Sequence, residues 1–207
     1  EARGDNARKQ PSFGRIREPV LRFTHLMRAL EASSRTGYWG IGRTDVPGNL
    51  NQTAMRAPSV FNFYRPGYSP AGTPVARAGL VAPEMQILQE SSVAGYADYL
   101  DRFVGGTSIY IVGLGDMIPH PDGERHSGGR AREIKFNLEP LIAKAKDVDQ
   151  LLDEINVLLL NGQMQSDTRA IIHRAVSEAV PKRNNDDMRR VYRERVSLAL
   201  YLALLST

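Results

Sequence analysis

The chain has 207 residues, 42% hydrophobic and only 7% aromatic, with a formal net charge of +4. That length fills one sizeable core or two small ones and typically buries roughly 70% of its extended surface, here with mostly aliphatic side chains. There is no cysteine, which removes disulfides, thiolate metal sites and cysteine nucleophiles. The arginines are interspersed with acids, which argues against a nucleic-acid partner, and no uninterrupted apolar run is long enough to insert across a membrane.

Residues 1–17 are polar and glycine-bearing and read as a loop. Pro19 suits a first helical turn. Val20, Phe23, Leu26, Met27 and Leu30 then share one helical face, with Arg22, His25 and Arg28 opposite, so a helix is predicted over 18–33. His25 reads as a solvated helix residue. Gly37, Gly40, Gly42 and Gly48 loosen the chain after Ser34, with Trp39 placed either to cap a core edge or to line a ligand surface. A short helix is expected over Gln52–Met55.

Residues 56–88, RAPSVFNFYRPGYSPAGTPVARAGLVAPEMQIL, are dense in aromatics, glycines and prolines without a clean period. Pro58, Pro66, Pro70 and Pro74 restrict the backbone and remove donors. Pro66-Gly67 marks a turn. Phe61, Phe63, Tyr64 and Tyr68 carry large apolar area that a free loop gains nothing by exposing. Residues 34–83 are therefore expected to form an ordered, partly buried loop held by flanking helices. Asn62 and Arg65 either tie its backbone down or meet a ligand or partner.

Pro83 and Glu84 suit another helix start. Met85, Leu88, Tyr96, Tyr99, Leu100 and Phe103 form its apolar stripe, and Gly95 either weakens the helix or permits close packing. Ser108–Val112 is a short β-branched run, giving at most a β-hairpin near 108–126. The glycines after it, Gly113 and Gly115, do not complete a dinucleotide loop, and no cofactor is expected. Residues 113–131 read as a variable loop. Its His120, Asp122, Glu124 and His126 are donor types that bind divalent metals, but without anchored spacing they read as a polar surface.

Residues Phe136–Ala145 are expected to be a helix, either continuous or interrupted near Pro140. Asp147 is placed to cap a helix with Val148, Leu151, Leu152, Ile155 and Leu159 inward, and Asn161-Gly162 to stop it. Ser166 is placed to cap another, with Ile171, Ile172, Ala175, Val176 and Ala179 buried, His173 outward and Pro181 after its end. The last helix is expected to start near Asp186 or Asp187, to align Val191, Leu198, Leu202 and Leu205, and to end fully buried. The fold class read from these patterns is mainly α: a multi-helical, bundle-like single domain over 1–207 with long ordered loops.

The segments GRIREPVLRFTHLMRAL, APSVFNFYRPGYSP, LVAPEMQIL, LLLNGQMQSDTR and SLALYLALLS together resemble the C-terminal portion of the bacterial domain-of-unknown-function 1800 family. Pro58, Asn62, Arg65, Pro66, Gly67 and Tyr68 match its pattern, without roles attached. The resemblance implies a helical fragment of a longer exported protein, in the periplasm or at the cell surface. It implies as partners the remainder of its own chain and an exported sulfatase-like protein.

Three functions remain open. One is a binding or assembly module of a cell-surface or glycan-related complex, with Arg56, Asn62, Tyr64, Arg65 and Tyr68 as the residues presented. Another is part of a hydrolase acting on an exported polymer, for which Glu84, Asp98, Asp101 and Asp116 supply acids without diagnostic spacing. The third is structural support without a ligand, which predicts an exposed apolar patch.

Overall fold

A computed structural model describes residues 17–34, 39, 41, 43–104, 134–178 and 188–206. The chain is mainly α. The expected strand and hairpin near 108–126, the loop 113–131 with its four candidate ligands, Asp116, Ala179, Pro181 and the start of the last helix near Asp186 all lie outside the described residues.

Helix α1 (Pro19–Ala29) opens on proline, as the spacing predicts, and buries Phe23 and Leu26. It is shorter than 18–33. Glu31 adopts a left-handed conformation at φ 48°, and the Ala32 amide turns back to the Met27 carbonyl at 2.8 Å, which closes the helix end. Arg22 is a correction to the polar face, because it is buried. Its guanidinium lies 4.3 Å from the Tyr96 ring centroid, so the aromatic face replaces part of the lost water. His25 is likewise not simply solvated: its Nε2 meets the Leu158 carbonyl at 2.8 Å.

After α1, strand β1 (Ser33–Ser34) pairs antiparallel with β2 (Ile134–Lys135), Ser33 opposite Lys135 and Ser34 opposite Ile134. The expected helix over Gln52–Met55 is a turn instead. Within the central stretch a four-residue helix α2 (Pro74–Arg77) forms, with the Thr73 hydroxyl accepting from the Ala76 amide.

The helix expected from Pro83 is split. Pro83–Gln86 makes a single 3-10 turn, and α3 begins at Glu90 and runs to Val104. Ser92 explains the break. Its buried hydroxyl accepts from the Gln89 amide and lies 2.9 Å from the Ile87 carbonyl, satisfying groups that a continuous helix would pair. Met85 and Leu88 are left half-buried, outside the stripe of Tyr96, Tyr99, Leu100 and Phe103.

Helix α4 (Glu139–Lys144) starts beside Pro140 rather than at Phe136, because residues 134 and 135 are spent as β2. Helix α5 (Val148–Leu160) matches expectation: the Asp147 carboxylate caps it, and Asn161 ends it at φ 54°. Helix α6 (Ser166–Glu178) takes Ser166 into its first turn, with the Gln165 carbonyl accepting from Arg169 at 2.9 Å. Ile172 and Val176 are buried, but Ile171 is exposed, since it lies about 100° around the helix from Ile172.

Helix α7 (Met188–Leu205) touches α3, α4, α5 and α6. Its buried positions are Val196, Ala199, Leu200, Ala203 and Leu204. The face is rotated from the expected one, with Leu198 and Leu202 half-buried at its margin and Leu205 exposed. A helix surrounded by partners reads as apolar on several sides, so periodicity does not single out the innermost face. Phe23, Tyr99 and Phe103 form the aromatic part of the core, with centroids 4.6–5.2 Å apart and two of the three pairs edge-to-face.

Candidate functional site

Polar staples hold the central stretch, in which Phe63, Tyr64 and Tyr68 are half-buried and Phe61 is exposed. The first staple stands at the start of α1. The Tyr64 hydroxyl donates to Glu18 Oε1 at 2.5 Å, and the Gln52 side-chain amide donates to the other oxygen of the same carboxylate. Gln52 is 2% exposed, and its own oxygen accepts from the Val20 amide at 3.1 Å. A carboxylate there is favoured by the positive end of α1. Hydrogen bonds to a charged oxygen are among the stronger ones.

Two further staples follow. The Arg65 amide donates to Gln86 Oε1 at 2.8 Å. The Ala82 amide donates to the Tyr68 carbonyl at 2.8 Å, and the Ser69 hydroxyl to the Leu80 carbonyl at 2.8 Å. Residues 68–69 and 80–82 thus run side by side. Pro66 and Gly67 are the corner of a turn closed by the Tyr68 amide on the Arg65 carbonyl at 3.0 Å.

Residues 59–62 form a tighter turn. The Asn62 amide donates to the Ser59 carbonyl at 3.1 Å. The Ser59 hydroxyl accepts from the Phe61 amide at 3.1 Å and donates to the Asn62 carbonyl at 3.3 Å. Asn62 takes φ 67°, a left-handed conformation that asparagine tolerates better than most residues. Val60 and Phe61 occupy the two corner positions, 96% and 61% exposed. The expectation that Phe61 is held against a helix is therefore corrected. Met55, Leu80 and Val81 are also exposed.

The five candidate residues separate by role in the geometry. Tyr64 points inward to Glu18. Tyr68 is half-buried and contributes its carbonyl, and Asn62 shapes the turn. Arg56 and Arg65 are exposed, and among the described residues neither guanidinium forms an ion pair. Val60, Phe61, Leu80 and Val81 are exposed apolar side chains that the five candidates leave out. For Val60 and Phe61 the signal is an aliphatic-aromatic pair inside a turn whose neighbours, Pro58, Ser59 and Asn62, are the turn formers.

Asp98 and Asp101 lie on the exposed side of α3, near enough to Tyr201 to help push its phenol upward after burial has done so. Glu84 is half-buried in the 3-10 turn. No group of three or more metal-ligating side chains occurs among the described residues.

Ser177, His173 and Asp149 do line up between α6 and α5, with Ser177 Oγ to His173 Nδ1 at 3.4 Å and His173 Nε2 to Asp149 Oδ2 at 3.7 Å. Both distances are long for an activated nucleophile. Arg169 takes the same carboxylate at 3.0 Å and reaches Asp153 at 2.8 Å, so the group reads as a surface ion cluster joining two helices. Among the described residues, no helix is long and apolar enough to cross a membrane.

The sequence model of the family described as "Protein of unknown function (DUF1800)" matches residues 2–207. No curated protein and no solved structure matches the chain.

Proposed function

The chain belongs to the DUF1800 family, and on that premise we propose that it is a helical binding or assembly module that presents a fixed turn to a protein partner. The observation that carries this reading is the pair Val60 and Phe61 at the corners of a turn locked by Ser59. Turn corners favour proline, glycine, asparagine and aspartate. An aliphatic and an aromatic side chain held there in water gain nothing within this chain, and gain much when a partner covers them. Because the turn is already shaped, little ordering entropy is lost on docking. The resemblance to exported bacterial proteins supports placing the complex in the periplasm or at the cell surface.

The structural-support reading draws on Tyr64, which serves the scaffold, but it leaves Val60 and Phe61 without a purpose. A photo-crosslinking residue at position 61 of the intact protein, activated in its native cells, tests the proposal. The expected result is a discrete heavier adduct that is absent when the same residue replaces Arg174 on the exposed side of α6. Equal labelling from both positions, or none from 61, overturns it.

A further inference from the structure

Resting on that reading, we propose that the partner's docking segment is an acidic stretch of protein bearing aliphatic or aromatic side chains. The chain carries 23 acids, yet none lies between Asp45 and Glu84, where Arg56, Arg65 and Arg77 stand. All three arginines are exposed. Of the carboxylates next to this segment, Glu84 is half-buried, and Asp45 and Glu18 are already engaged. Asp45 is held by Arg43 through two hydrogen bonds of 3.0 and 2.9 Å, and Arg56 adds a weaker electrostatic pull on it. Glu18 is taken by Tyr64 and Gln52. Arg77 gives one N–H to the Gly72 carbonyl at 3.2 Å, and among the described residues its guanidinium forms no ion pair. The segment is thus a local positive field on a chain whose net charge is small.

Apolar groups sit among these cations. Met55 adjoins Arg56 in sequence, Val60 and Phe61 lie between Arg56 and Arg65, and Leu80 and Val81 are laid alongside residues 68–69 by hydrogen bonds. Nucleic acid would use the arginines and one ring, but offers nothing to four exposed aliphatic side chains. A neutral glycan would use the ring and leave the positive field unanswered. A protein segment alternating acids with apolar side chains answers both, with charge setting orientation and apolar contact setting lifetime.

The test selects binders from a random displayed-peptide library on the intact protein. Selected peptides are then measured against wild type, Val60→Ser/Phe61→Ser and Arg56→Gln/Arg65→Gln. All four side chains are exposed, so far-UV circular dichroism and melting should be unchanged. The expected peptides are net negative with apolar residues. They bind each double variant about tenfold more weakly or worse, and weaken as salt rises from about 50 to about 300 mM. Peptides that need Val60 and Phe61 but show no acidic bias and ignore Arg56→Gln/Arg65→Gln overturn this inference and leave the docking turn standing. Peptides indifferent to Val60→Ser/Phe61→Ser overturn both. A single-stranded oligonucleotide that outcompetes the peptides in an arginine-dependent way also overturns the acidic-protein assignment.

Discussion

Gly95 lies where α3 passes under the loop before residue 50. A Cβ there would stand 2.1 Å from the Pro47 carbonyl oxygen and 2.5 Å from the Gly48 Cα. Both are backbone atoms, so the loop itself would have to move. Gly95→Ala gains about 1 kcal/mol of helix propensity, but overpacking costs about 1–3 kcal/mol or more. We expect a net loss of stability, read as a lower urea midpoint. Tyr64→Phe removes a hydrogen bond to a charged oxygen and is expected to cost about 1.5–3 kcal/mol in the same measurement.

Two buried tyrosines, Tyr96 and Tyr99, contribute to the alkaline limit. Burial pushes both the Tyr96 and the Tyr99 phenol above the ordinary tyrosine range, with Arg22 and Arg102 respectively pulling partly back. Their folded-state values lie above the unfolded value of about 10. The stability they contribute is therefore fully present below about pH 10 and is lost as pH rises through the folded values. Tyr99 donates to the Ile41 carbonyl at 3.0 Å, whereas the Tyr96 hydroxyl is buried without a hydrogen-bond partner among the described residues. Tyr96→Phe keeps the ring under Arg22 and is expected to be neutral or stabilising at pH 7. It should also flatten the fall in urea midpoint above about pH 10. A steeper fall, or a destabilised variant at pH 7, would contradict this assignment.

Among the elements, α5 was legible and α7 only in part, for a physical reason. The ends of α5 are fixed by local chemistry: Asp147 accepts from the Asp149 and Gln150 amides at 3.0 and 3.2 Å, and Asn161 takes the left-handed conformation. Such signals sit within a few residues of their effect. Asp147→Ala is accordingly expected to cost about 1 kcal/mol in thermal or urea unfolding. The start of α3 depended on the Ser92 hydroxyl folding back on Gln89, and the end of α1 on Glu31 entering φ 48°, neither of which periodicity records. The buried face of α7 depends on which four helices surround it, a tertiary fact. Arg22 belongs to the same class, since its place in the interior is set by a ring on α3.

Across the molecule, α7 holds the bundle together, the staple at Glu18 fastens the central stretch to it, and those at Gln86 and Tyr68 tie the stretch to itself. The bond that ties the stretch to α1 could not be read from its prolines and aromatics, because Glu18 and Tyr64 are 46 positions apart and no local pattern joins them. For the same reason the aromatics were expected inward as a group. The structure instead divides them, with Tyr64 serving the scaffold and Phe61 facing water. Arg56 and Arg65 keep exposed charges, and the exposure of Val60 and Phe61, between them in the sequence, follows from the Ser59 turn.

The most direct measurement is amide hydrogen exchange across residues 59–82 in wild type and in Glu18→Ala. The account predicts that the Asn62, Arg65, Tyr68 and Ala82 amides exchange at least about tenfold more slowly than an unstructured peptide, and that Glu18→Ala releases that protection while the α5 amides stay slow. Exchange in wild type at the unstructured rate, or protection untouched by Glu18→Ala, would contradict it.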